Sequence, residues 1–409
     1  MKNQKAFDAL SLPGYRLFLL TFMLTMMADN IEHVISYYII FQKFKSPALA
    51  GFAVISHWVP YLFFSVYVGA LNDRFDSRRL IQIGGTLFAI VSAGWGYFFL
   101  TDTLEMHHAM ALLALHGLSG VFWMTSSQVL LYDIVGQEHL ASAVRLMSTV
   151  RYLAVFIGPG VGSVLMLTAG ATWGMFINTA FYLPLLIWLL RAPYGRALRR
   201  IADGRKRAVK GIIDILQTFR DVRPIRILTT MIFITGAASF FIGNGYQAQM
   251  PEFAADLGNG NPGTAYSMLL AADAAGALIA GILLESRGSI FELKVTNVFI
   301  LAIGWAFALL GFSLMRSYYF AIMLLFCAGF FELSFSSMAQ TLVQMNAPDA
   351  IRGRVLGLYN MVGSGLRLFS GITVGLVGSL MTIHASLAFA ATGFIVVCGV
   401  LLFYIKRVH

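Results

Sequence analysis

Charge is what this chain of 409 residues has least of: Asp, Glu, Lys and Arg make up 12% of it, while hydrophobic residues make up 58%. A soluble globular domain carries roughly 25% charged residues, and a mean hydropathy of +0.76 lies far on the apolar side, so a water-soluble domain is excluded. Cysteine is nearly absent. Cys327 and Cys398 both fall inside apolar runs, which excludes a disulfide framework and a thiolate metal centre. A nucleophile elbow, a phosphate loop and metal-ligand spacing are missing too, so neither an enzyme nor a cofactor nor a bound metal is expected.

What is present is a series of long apolar runs. With about 20 residues needed to span a bilayer, the chain divides into spans near 16–41, 48–71, 80–101, 108–133, 144–167, 172–191, 227–250, 264–286, 295–315, 318–343, 355–381 and 384–405. The predicted fold is an all-α membrane protein of twelve transmembrane helices. Of the 29 Lys and Arg, all lie on the side of the N-terminus except Lys43, Lys45 and Arg316 on the other side and Arg151 and Arg367 within spans. This asymmetry places both termini in the cytoplasm. It also accounts for the +10 net charge, so no nucleic-acid partner is expected. The run after Met1-Lys2 is too long for a signal-peptide core and lacks a small-residue cleavage site, so the first span is expected to be retained.

Residues 192–226 separate six spans from six and carry Arg196, Arg199, Arg200, Arg205, Lys206, Arg207 and Lys210. The predicted organisation is a six-helix half over 1–191, a cytoplasmic linker over 192–226 and a second six-helix half over 227–409. Within the linker, Val209, Ile212, Ile213, Leu216 and Phe219 recur at helical spacing opposite Lys210, Asp214, Gln217 and Arg220, the pattern of a helix lying in the membrane interface. A repeat supports the division. Gly69 to Asp73 recurs as Gly281 to Glu285, 212 residues on, and the approach to span five (Glu138 to Ala143) recurs as the approach to span eleven (Asp349 to Arg354), 211 residues on. Two agreeing offsets point to two parallel, pseudo-symmetric halves.

Charges inside the spans are costly, about 3 kcal/mol for an Asp at a helix centre, and mark function. They are Asp29 and Glu32 in span one, Arg151 in span five, Asp273 in span eight, Glu332 in span ten and Arg367 in span eleven. Helical spacing groups Thr21, Thr25, Asp29, Glu32 and Ser36 on one face, Glu332, Ser336 and Gln340 on a second, and Asn360, Ser364 and Arg367 on a third. An ion pair of Glu332 with Arg367 is one structural alternative, and Arg151 is the evident fixed counter-charge for the span-one acids. Aromatics such as Tyr37, Trp58, Tyr61 and Trp123 would wall a binding cavity or pack helices.

The loop Gly69-Ala70-Leu71-Asn72-Asp73-Arg74-Phe75-Asp76-Ser77-Arg78-Arg79 resembles the signature loop of the major facilitator superfamily, Gly-x-Leu-x-Asp-Arg-x-Gly-Arg-Lys/Arg-x. The chain is similar to that superfamily over its whole length. Gly69 would let spans two and eleven approach closely, and Asp73, with Arg74 and Arg78, would form a gating latch. The signature's second Gly is Asp76 here, and Asp tolerates a left-handed backbone. Gly158-Pro159-Gly160-Val161-Gly162-Ser163 resembles the exporters' motif that packs span five against span eight. In span four, His116 stands where many proton-coupled members have Arg; a His can change charge but is not a fixed cation. The stretch from His116 through Gly136-Gln137-Glu138-His139-Leu140 to Arg151 and Pro159 is similar to the enterobactin-exporter and macrolide-efflux branch.

The resemblance implies a fold whose spans three, six, nine and twelve form the outer scaffold; those four carry no interior charge, so the charges fall on the cavity helices. The expected function is proton-coupled export of a small amphiphilic compound, drug-like or siderophore-like. The alternative is a facilitator or importer of a metabolite, metal complex or lipid without proton antiport. Asp29, Glu32, Arg151, Asp273, Glu332 and Arg367 are the coupling candidates. Thr25, Ser36, His116, Trp123, Ser336, Gln340, Asn360 and Ser364 are the expected lining. A small-molecule substrate, protons, the lipid of a bacterial-type inner membrane and a monomeric state complete the expectation.

Overall fold

The structure is a computed structural model and describes residues 6–195, 209–211, 213–243, 245–257, 262–286, 291–370 and 380–407. Among them are twelve membrane-length helices or helix stretches in two six-helix halves. Spans one to three are Pro13–Phe44, Pro47–Arg74 and Ser77–Thr101. Spans four, five and six form one nearly continuous helical run, Met106–Arg191, broken only at Gly136 (φ 66°, ψ −178°) and Gly170 (φ 78°, ψ 165°). Those backbone angles are open essentially to glycine alone. Each therefore reverses the chain in a single residue, giving spans 106–135, 137–169 and 171–191. The second half continues with spans seven (Arg226–Phe241), eight (Pro262–Ser286), nine (Val295–Leu314), ten (Tyr318–Asn346), eleven (352–370) and twelve (Ile383–Arg407).

Two spans depart from the expected continuous helices. Span seven, expected over 227–250, stops at Phe241; Gly243 takes a positive φ of 46°, and the short helices Gly245–Ala248 and Met250–Asp256 come after it. Span eleven runs through a wider π-helical stretch at Met361–Gly365; its expected end at 371–379 lies outside the described residues. A π turn adds a residue to one turn and rotates the side chains beyond it about the helix axis, here that of Arg367.

Large apolar side chains stay exposed on the outer surface, Leu167, Leu190 and Leu380 among them, as a lipid-facing surface requires. Inside, each half has its own packing. Trp95, Phe88 and Tyr182 are buried in the first half, with Phe88 and Tyr182 stacked at 5.4 Å. In the second half the largest cluster runs from Val222 to Cys398 and takes in Val66 and Val129 of the first half, and a smaller one joins Ala277, Ala280, Leu284 and Leu333.

The linker helix, Ile213–Val222, lies on the bundle with Ile213 and Leu216 exposed and Asp214, Thr218 and Val222 buried. On its polar face, expected to meet water, Lys210 and Arg220 are exposed but Asp214 instead meets the protein, held by an arginine of span eleven. The basic residues Arg196 to Arg207 and Ile212 lie outside the described residues.

Candidate functional site

Three groups of polar side chains stand out. The first clamps the two halves where the basic loops emerge. Gly69 packs so closely on the Gly353 carbonyl that a Cβ would overlap it, and Gly357 sits likewise on Ser65. This brings Asp73 to the start of span eleven, where Oδ1 accepts from the Gly353 N–H (2.6 Å) and Oδ2 from the Arg354 N–H (3.2 Å) and Nη1 (2.9 Å). A carboxylate there satisfies orphan helix-terminal donors and the helix dipole together. Arg354 also reaches Asp214 of the linker helix, Nε to Oδ1 3.2 Å. The repeat-related clamp joins spans eight and five: Gly281 packs on Thr149, Glu285 accepts from Ser142 Oγ, and Arg145 Nε donates to Glu285 Oε2 at 2.7 Å.

Arg74 is exposed and Arg78 turns the other way, bound to Asp76 (Nη2 to Oδ2 2.7 Å) and to the Ala192 carbonyl. Neither joins the clamp; Arg354 takes the place expected of them. Asp76 has φ −72° and caps span three by accepting from the Arg78 N–H, so the turn needs no left-handed residue. Gly158 and Gly162 pack on span one, against Asn30 and Ile31, and not on span eight; between them Pro159 accepts from Ser163 Oγ. Span eight is met about two and a half to four and a half turns before Gly158 on span five, at Ser142, Arg145 and Thr149.

The second group lines a partly open cleft between the halves with about 70 Å³ of room for water-sized molecules. Arg151, Glu332, Ser336, Gln340, Asn360, Ser364 and Arg367, all singled out in the sequence, line it, and Gln128, Thr235 and Ser239 join them. Among the described residues, neither Arg151 nor Arg367 lies within ion-pair distance of an acid. Arg367 donates to the Gly363 carbonyl (3.1 Å) and stands 5.3 Å from the Trp58 ring; Arg151 stands 5.5 Å from the Tyr152 ring. The Glu332–Arg367 pair is therefore not made. The amides of Gln128 and Asn360 bond reciprocally across the halves, at 3.1 and 3.0 Å. Gln340 Nε2 is buried without a partner, so the cleft presents a free amide donor as well as two guanidinium groups.

Behind Glu332 lies Tyr246, whose hydroxyl is 3.1 Å from Asp273 Oδ2 and 3.4 Å from Glu332 Oε2, with Gln247 Nε2 donating to Asp273 at 3.0 Å. The phenol has one hydrogen, so only one of its two acid contacts is a hydrogen bond; a proton on either acid would supply the second.

The third group is inside the first half. Asp29 and Glu32 are 8% and 2% exposed and flank His116: Glu32 Oε1 is 2.8 Å from its Nδ1, and Asp29 Oδ1 2.9 Å from its Nε2. Their counter-group is thus His116 and not Arg151. His33, one turn beyond Asp29, places Nδ1 3.9 Å from Asp29 Oδ2, and its ring centroid lies 4.7 Å from that of His116 and 5.0 Å from that of His57. Gly117 packs directly on the Ser56 carbonyl, which draws span two in and sets His57 beside His116. The three imidazoles form a group whose ligand atoms all lie within 4.8 Å of one another, where no metal-ligand cluster was expected. His33 and His57 were not singled out. Asp29 and His33 at i and i+4 were the available signal; His57, on another span, gave none.

The rest of the span-one stripe points into this half and away from the cleft. Thr25 Oγ1 bonds the Thr21 carbonyl and Ser36 Oγ the Glu32 carbonyl, both buried. Trp123 stacks on Phe22 at 4.7 Å in the core. Helical spacing identifies a polar face but not the neighbour it meets.

A match to the Major Facilitator Superfamily spans residues 17–371. The chain belongs to that superfamily. The enterobactin exporter EntS of Citrobacter koseri is 28% identical over 346 residues, covering 82% of this chain and 77% of that protein. Among solved structures, the human organic anion transporter MFSD10 superposes with a TM-score of 0.76 at 14% identity, covering 95% of this chain and 99% of that one. A bacterial homologue of the iron transporter ferroportin, in an outward-facing state, gives 0.75 at 17% identity, covering 97% and 100%. These two speak to the fold. As a superfamily member the chain is a multi-pass membrane transporter of small molecules.

Proposed function

We propose that this transporter exports a small, oxygen-rich amphiphilic anion of the siderophore type by alternating access of its two halves around the central cleft. The observation that carries this reading is Arg151 and Arg367, one from each half, facing that cleft with no acid within ion-pair distance of either among the described residues. A guanidinium held in a partly dry site recruits a carboxylate or catecholate oxygen, with two-pronged geometry available. The similarity to enterobactin exporters supports the direction and the ligand class. The clamps at Asp73 and Glu285 would close the basic face and would have to release for the cleft to open there.

Proton antiport is the second part of the proposal. Asp273, Tyr246 and Glu332 adjoin the cleft and share a hydroxyl that a proton would complete, which makes them stronger carriers than Asp29 and Glu32, whose nearest partner is His116. Both termini would lie on the cytoplasmic side of an inner membrane, in keeping with the basic loops.

Uptake of enterobactin into inside-out vesicles under an imposed pH gradient tests both parts. Arg151→Gln and Arg367→Gln should each reduce uptake about tenfold or more, the worth of a hydrogen bond to a charged group. Uptake at the wild-type rate in both variants would sink the anion reading. A rate indifferent to the gradient would sink antiport.

A further inference from the structure

We propose that His33, His57 and His116, together with Asp29, form a binding site for one divalent first-row transition-metal ion inside the first half of the transporter, separate from the central cleft. Three observations converge on it. First, three imidazoles from spans one, two and four meet with ligand atoms within 4.8 Å. Around an ion held at about 2.0–2.2 Å by nitrogen and oxygen ligands, ligand atoms lie about 3.4 Å apart, so the rings need to close by up to about 1.4 Å. His33 and His57, only half-buried, have room to do so.

Second, the ring nitrogens are placed to take an ion. His57 Nδ1 is buried with no hydrogen-bond partner, and His116 Nε2 stands 2.9 Å from Asp29 Oδ1. That contact requires a positive charge between nitrogen and carboxylate, which either a second proton on the imidazole or a metal ion in its place supplies. On its far side His116 Nδ1 meets Glu32 Oε1. That is the carboxylate–histidine arrangement that fixes a metal-binding imidazole in one tautomer and leaves its other nitrogen for the ion.

Third, with neutral imidazoles, the form that binds a metal, the charge does not balance without a cation. Asp29 and Glu32 are buried at membrane depth, and among the described residues their only ion-pair partners are His33 and His116. A divalent cation neutralises both carboxylates at once, removing most of the cost of burying them. Imidazole and carboxylate donors without a thiolate suit zinc, cobalt, iron or nickel in the divalent state, and disfavour magnesium and calcium, which take all-oxygen ligand sets.

The test uses the full chain in detergent, stripped with a chelator and titrated with Co2+ as the probe. One Co2+ per chain, with the visible absorption of nitrogen and oxygen donors and displaced by Zn2+, is expected. Affinity should fall at least tenfold in His57→Gln and in His33→Gln, and about tenfold to a hundredfold in Glu32→Gln, which only orients His116. The double variant His107→Gln/His108→Gln, which removes an adjacent pair of histidines at the start of span four, should bind as wild type. Should the buried variants not fold, X-ray absorption of the Zn2+-loaded wild type decides: three imidazoles around the ion support the site. Absence of a stoichiometric ion, fewer than two imidazoles, or loss of the ion with His107 and His108 would each overturn it.

Discussion

The two buried polar groups of this molecule solve the problem of charge in a membrane in opposite ways. Inside the first half, Asp29 and Glu32 are surrounded by three histidines and closed off by Phe88, whose ring lies 4.9 Å from that of His116. In the central cleft, Arg151 and Arg367 face open space beside the unpartnered amide of Gln340. One group sets two acids among imidazoles within a packed helix bundle; the other sets two guanidinium groups, out of ion-pair reach of Glu332, at the seam where the halves separate. A site at a seam can exchange its occupant when the halves rock, whereas one built within a single half can hold an occupant through the cycle. The difference argues that substrate belongs to the cleft and that the histidine group serves something carried within one half.

Breaking each group should therefore give distinct failures. The largest effect is expected from Glu32→Ala, which strips His116 of its closest partner and leaves an uncompensated cavity: about 3–5 kcal/mol of lost stability, read as a lowered melting temperature in detergent. Gly117→Ala and Gly329→Ala come next and are matched between the halves. Each puts a methyl group against a backbone carbonyl, of Ser56 and of Asp273 respectively, and such overpacking costs about 1–3 kcal/mol. The first should abolish Co2+ binding while sparing substrate binding in whatever protein folds; the second should impair proton coupling and leave Co2+ bound. Asp73→Asn and Glu285→Gln compare the two clamps. Asp73 receives three donors and Glu285 two, so Asp73→Asn should raise cysteine-probe labelling of the basic face more than Glu285→Gln does. Smallest of all, Thr25→Val should change stability by less than about 1.5 kcal/mol, because its hydroxyl only returns to the Thr21 carbonyl, and should leave transport intact.

Much of the fold was legible because its signals are local: hydropathy for the spans, and Gly69 and Asp73 for a close approach between helices. The repeat was more informative than its individual residues. Glu285 and Ser142, each unremarked alone, stand 212 and 211 residues from Asp73 and Gly353, and the two pairs make the two clamps. The cleft was largely readable too, since Glu332, Ser336, Gln340, Asn360, Ser364 and Arg367 all line it. The stripe of span one was misdirected, because periodicity gives a face and not its neighbour. Asp214 escaped notice because a polar residue on an amphipathic helix looks solvated; its arginine is 140 residues away. His57 was illegible for the same reason of distance. Only the Gly117 contact with span two brings it to His116.

The division of labour between cleft and histidine group is the central claim, and enterobactin binding measured by calorimetry on the purified chain tests it most directly. Arg151→Gln and Arg367→Gln should each weaken binding about tenfold or more, while His57→Gln should leave it within about threefold of wild type. The reverse pattern, with binding lost in His57→Gln and retained in both arginine variants, would contradict the account.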